Sequence, residues 1–96
     1  MATPLADQVV VITGASQGIG RETALRFSAS GSSLVVAARN EEALGTLAKQ
    51  IESIGGQAEV VVADVAGYGE VERIGARAIE RFGRVDTWVN NAAVSI

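Results

Sequence analysis

The fold this sequence predicts is an α/β chain with an open, doubly wound parallel sheet. Its elements run βαβαβαβ and its strands are ordered 3-2-1-4. Three observations lead there. First, short and largely apolar runs at Gln8–Thr13, Leu34–Ala38, Glu59–Ala63 and Val85–Val89 alternate with stretches of helical periodicity. Continuous runs of this kind suit strands buried on both faces. Second, the connections are only a few residues long, so each helix serves as the crossover between parallel strands. Third, the stretch Thr13-Gly14-Ala15-Ser16-Gln17-Gly18-Ile19-Gly20 leaves the first strand and enters the first helix. A glycine-rich turn of this kind marks the point where such a sheet reverses direction, between strands 1 and 4.

Each element has its own local warrant. Met1 to Asp7 is a short leader holding the only proline, Pro4. The first helix is expected over Gly18–Ser30, with Gly20, Ala24 and Phe27 on its inner face, Leu25 beside them and Gly31 as its stop. After the second strand, Asn40 is placed as an N-cap. Glu41 and Glu42 follow in the first turn, where acids suit the helix dipole. This second helix reaches about Ile54, with Leu44, Leu47, Ala48 and Ile51 at i, i+3, i+4 and i+7, and Gly55-Gly56 ends it. Asp64-Val65 closes the third strand and Gly67-Tyr68-Gly69 makes a loop. The third helix is expected over Glu70–Phe82, with Val71, Ile74, Ala78 and Phe82 inward and Gly83 as its stop. Asn90-Asn91-Ala92-Ala93 lies at the end of the fourth strand. Helices 1 and 2 should cover one face of the sheet and helix 3 the other. Residues 1–96 form a single unit with no repeats or linkers.

Composition narrows the chemistry. A net charge of -3 gives no basic footprint for nucleic acid. With no cysteine and no histidine, the chain has no disulfides and lacks the commonest metal ligands and the commonest general base. No metal site is expected. The hydrophobic share of 48% marks a chain that folds. Neither a secretory signal nor an apolar run near the roughly 18 residues of a membrane span is present. The expected location is cytoplasmic, with no membrane partner.

The glycine turn is a phosphate site in outline. Its backbone N–H groups and those of the first helical turn converge, and the helix dipole adds positive charge there. Gly14 lets the chain turn off the strand, Gly18 admits a close ligand and Gly20 lets the helix approach the sheet. Ser16 and Gln17 can bond a phosphate through their side chains, or Ser16 can cap the helix. Asp64 stands either as a binding group in the crevice or as a plain cap. Arg73, Arg77, Arg81 and Arg84, interspersed with Glu70, Glu72 and Glu80, read as a solvated face with weak ion pairs. Trp88 reads as core or edge cover.

Thr13–Gly20, Asp64-Val65 and Asn90-Asn91-Ala92 after Val85-Asp86-Thr87-Trp88-Val89 stand in an order and spacing that resembles the short-chain dehydrogenase/reductase family. The resemblance implies a Rossmann-type sheet and a nicotinamide-dependent oxidoreductase acting on an alcohol or carbonyl, with a homo-oligomer expected. It further implies that Gly14, Ser16, Gln17, Gly18, Ile19 and Gly20 hold the pyrophosphate end. Asp64 would meet the adenine amino group with help from the Val65 backbone, Asn90 would lie beside the adenosine ribose, and Ala92 would belong to the same cofactor site. Ala93 departs from the family's usual glycine. NAD sites of this type carry an acid at the end of strand 2, but here Arg39 follows Ala38 directly. A guanidinium fork suits a 2′-phosphate, so NADP is expected over NAD, with Asn40 as a second contact.

The family's catalytic tyrosine belongs to a Tyr-x-x-x-Lys pair. Tyr68 has Glu72 four residues later, and the only lysine is Lys49. No catalytic residue is assigned, and the family's catalytic groups would lie downstream. The chain is therefore expected to be the N-terminal, cofactor-binding portion of a reductase and inactive alone. The alternative is a stand-alone half-Rossmann module that binds a dinucleotide or a partner without catalysis.

Overall fold

Val9, Val10, Val11, Ile12 and Thr13 are all buried, because the strand they form lies in the middle of a sheet covered on both sides. The computed structural model describes residues 4–91. A 3-10 turn at Leu5–Asp7 leads into strand β1 (Val9–Thr13), followed by α1 (Gly18–Ala29), β2 (Ser33–Ala38), α2 (Glu41–Ser53), β3 (Gln57–Val62), α3 (Glu70–Phe82) and β4 (Thr87–Asn90). All pairings are parallel and the sheet order is β3-β2-β1-β4, as expected.

Side chains alternate across the sheet and sort its two faces. Val10, Ile12, Leu34 and Val36 meet Ala24 of α1 and Leu44, Leu47 and Ile51 of α2. Val11, Val35, Ala37 and Val61 meet Ile74 and Ala78 of α3, with Trp88 and Phe82 packed against them. Trp88 is thus partial cover for the second face.

The strand ends differ from the sequence expectation, for identifiable reasons. β3 starts at Gln57 rather than Glu59, because the Gly55-Gly56 turn delivers the chain directly opposite Ser33. β4 starts at Thr87 rather than Val85. The Asp86 N–H donates to the Val9 carbonyl at 2.9 Å, while Asp86 Oδ2 accepts the Val9 N–H at 2.8 Å. A carboxylate thus takes the place of a backbone acceptor, and the regular ladder begins one residue later at Val10 and Thr87.

On α1, Phe27 is half-buried and packs against the core of the first face as expected, while Ser28 is the more deeply buried, its Oγ packed against Gly56. Two helix-face expectations change. Val71 is 49% exposed, because the buried line of α3 runs through Ile74 and Ala78, with Phe82 packed beside them. The arginine stripe is more than a solvated face: Arg77 and Arg81 both reach the Glu59 carboxylate on edge strand β3.

Candidate functional site

The candidate site lies along the C-terminal ends of the strands, where backbone bonds tie neighbouring loops together. The Ala15 N–H donates to the Ala37 carbonyl at 3.3 Å, fastening the glycine turn to the end of β2. The Ala63 N–H donates to the Ala38 carbonyl at 2.9 Å, holding the chain that carries Asp64 beside the one that carries Arg39. Thr13, the last residue of β1, stands opposite Asn90, the last of β4. These bonds bring the glycine turn, Arg39, Asp64 and Asn90 onto one rim.

At the glycine turn, Gly14 has φ 68° and Gly18 φ 60°, values that side-chain-bearing residues rarely adopt. A Cβ on Gly20 would overlap the Gly14 carbonyl oxygen and stand 2.6 Å from Asn91 Nδ2, so this position has no room for one. Above Gly18 the space is open. Gln17 and not Ser16 is the N-cap of α1, and it makes no side-chain bond to the helix. The first-turn N–H groups of α1 thus have no side-chain cap, next to an open glycine. Ser16 is half-buried, and Gln17 and Ile19 are exposed, Ile19 by 77%.

The other rim residues divide by what already holds them. Arg39 is exposed and has no ion pair or hydrogen bond among the described residues. Asn40 caps α2, with Oδ1 accepting the Ala43 N–H at 3.0 Å. Asp64 makes the turn that the bland reading expected: its Oδ1 accepts the Ala66 N–H at 3.0 Å. Among the described residues its second carboxylate oxygen has no partner, so the turn leaves an acceptor for a ligand. Val65 is half-buried against the α3 face. The expectations for Ala92 and Ala93 lie outside the described residues.

Two features escaped the sequence reading. Thr13 is 1% exposed and joins both asparagines. Its Oγ1 donates to Asn90 Oδ1 at 2.8 Å and accepts the Asn91 N–H at 3.2 Å. The signal was a hydroxyl at the end of an otherwise apolar buried strand, since a buried polar group needs a partner. Asn90 keeps its Nδ2 donor. The second feature is the reach of the Glu70–Arg73 pair, expected only as part of a solvated face, to the Val62 carbonyl and the Asp64 N–H beyond α3. The guanidinium's hydrogen bond holds the Glu70 carboxyl below the usual carboxylate range, aided by the Asp64 N–H. Tyr68 lies in the loop before α3, as expected, and is fully exposed.

The short chain dehydrogenase family model matches residues 8–96. The chain belongs to the short-chain dehydrogenase family. Among curated relatives of this short-chain dehydrogenase segment is YxnA, an uncharacterised oxidoreductase of Bacillus subtilis. It is 55% identical over 91 residues, which are 95% of this chain and 26% of YxnA. A 3beta-hydroxysteroid dehydrogenase of Eggerthella lenta is 41% identical over 90 residues, 94% of this chain and 35% of its own. Among solved structures, the L-sorbose reductase of Gluconobacter frateurii, complexed with NADPH and L-sorbose, superposes with a TM-score of 0.85 at 35% identity. That match covers 91% of this chain and 34% of the reductase. The chain therefore spans between about a quarter and about a third of the length of these three proteins. No three-residue cluster of His, Cys, Asp or Glu able to hold a metal occurs among the described residues. No helix among them is long and apolar enough to cross a membrane.

Proposed function

We propose that this segment holds the adenosine and pyrophosphate end of NADP(H) in a cytoplasmic, homo-oligomeric oxidoreductase acting on an alcohol or carbonyl. The residues fit such a group. A Cβ-free seam at Gly14 and Gly20 and an uncapped α1 N-terminus leave backbone donors open to a pyrophosphate. Gly14, Ser16, Gln17, Gly18, Ile19 and Gly20 would surround it. Asp64 and Val65 would meet the adenine and Asn90 the ribose, with Ala92 in the same site. The bound nicotinamide would supply or accept the hydride; this chain's residues orient the other end of the molecule.

One observation carries the choice of NADP: Arg39, exposed and unpaired among the described residues, follows Ala38 where an NAD site wants a carboxylate. A paired guanidinium would have little to give an incoming 2′-phosphate. This one keeps its donors, and Asn40 beside it has spent only its acceptor. The L-sorbose reductase, a structural neighbour solved with NADPH, supports the same reading.

The test is the ratio of NADPH to NADH affinity in the full-length protein and in Arg39→Asp. A lost charge-assisted contact and a new repulsion should shift the ratio toward NADH by about tenfold or more. An unchanged ratio rejects the NADP assignment. Substrate turnover with either cofactor tests the oxidoreductase reading separately.

A further inference from the structure

Glu70 and Arg73 are three residues apart on α3, and such pairs normally join only a helix to itself. This pair reaches further. Arg73 Nε donates to Glu70 Oε2 at 2.8 Å, while Arg73 Nη2 donates to the carbonyl of Val62, the last residue of β3. Glu70 Oε1 in turn accepts the N–H of Asp64, two residues beyond the strand, at 3.4 Å. The fork thus spans the start of α3, the end of β3 and the loop between them.

The loop is short and closely packed against this bridge. The Gly67 N–H donates to the Asp64 carbonyl at 2.8 Å, and the Glu70 N–H donates to the Gly67 carbonyl at 3.2 Å. A Cβ on Gly67 would stand 2.9 Å from Glu70 Cγ. The Glu70 side chain is 26% exposed, so its stem lies under the loop. One turn further on, Ile74 is buried in the core, so the bridge refers the loop to a fixed element.

We propose that Glu70 and Arg73 are positioning residues that latch loop 64–69 to β3 and so aim the free Asp64 carboxylate oxygen at the adenine of the cofactor. The proposal rests on the reading of Asp64 as an adenine contact. The bridge holds the backbone on which that carboxylate stands, whereas the turn bond to Ala66 sets only the side chain's own rotation.

The experiment measures ligand affinity in the full-length protein for three ligands: NADPH, adenosine 2′,5′-bisphosphate and reduced nicotinamide mononucleotide. Arg73→Ala and Glu70→Gln should each weaken NADPH and the bisphosphate roughly three- to tenfold, the worth of one hydrogen bond. The mononucleotide, which lacks adenine, should bind as in the parent. Thermal midpoints should move only slightly, because neither residue belongs to the buried core. Arg73→Lys should recover part of the loss, since an ammonium lacks the fork that bridges Glu70 and Val62 together. Gly67→Ala, pressing on Glu70 from the loop side, should reproduce the loss. Parent-like bisphosphate affinity in both Arg73→Ala and Glu70→Gln overturns the latch while leaving the proposed site intact. Equal weakening of the mononucleotide, or a large drop in thermal midpoint, also overturns it by marking a general structural role. A parent protein that binds none of the adenine ligands overturns the site reading and the latch together.

Discussion

Gly20 carries the tightest constraint at the candidate site. The backbone of α1 runs so close to the Gly14 carbonyl that a methyl group has nowhere to go, and Asn91 closes the other side. Backbone cannot swing aside as a side chain end can. Gly20→Ala should therefore destabilise the fold by about 1–3 kcal/mol through overpacking. Gly45→Ala, on α2 with open space around it, should not. Thermal unfolding of both variants checks this, and equal midpoints would refute the packing account. Gly14, Gly18 and Gly20 were legible as a glycine turn from spacing, because each glycine answers a local backbone demand. Thr13 as the hub for Asn90 and Asn91 was not, since its partners lie 77 and 78 residues away.

β4 shows how one element depends on a single side chain. It is an edge strand of four residues, and Asp86 secures its start to Val9. Hydrogen bonds from Arg84 and from the Val9 N–H hold the Asp86 carboxyl below the usual carboxylate range. The sign follows from linkage. A carboxyl with a lower pKa folded than unfolded contributes fully above its unfolded value, and the contribution fades as pH falls through the folded one. Stability should therefore drop on acidification below about pH 4, and Asp86→Asn should flatten that acid limb. Thermal midpoints of both proteins across the acid range test it, and superimposable slopes would remove Asp86 from the account. On α3, Val71, Ile74, Ala78 and Phe82 were expected to form one inward face. Ile74 and Ala78 are buried with Phe82 packed beside them, and Val71 is left about half exposed. Periodicity names a helix's apolar side, but the neighbouring layer sets how wide a stripe is covered.

Across the molecule, the two faces are unevenly dressed. Two helices cover the face of Val10 and Ile12, while α3 alone covers that of Val11 and Val35. Beyond α3, Trp88 remains partly exposed on β4, whose outer edge has no strand partner among the described residues. An open strand edge beside exposed valine and isoleucine favours association. The 96-residue polypeptide expressed on its own should self-associate, seen as a sedimentation coefficient or thermal midpoint that rises with concentration. A sharp monomeric melt independent of concentration would contradict this.

The strand order, the two-faced layering and the glycine turn were readable in the residues because they arise from local rules. Continuous apolar runs make buried strands, short connections impose crossovers, and glycine spacing follows from backbone geometry. Asn40 as a cap and Gly31, Gly55 and Gly83 as stops are of the same kind, satisfied within a few residues of chain. What the folded chain added is chiefly long-range. Ser28 is buried against Gly56 of another segment, beside the half-buried Phe27. Arg77 and Arg81 found Glu59 across two elements, and Arg73 reached the end of β3. Such partners are chosen by where the backbone places charges in three dimensions, and no spacing along the chain encodes that distance.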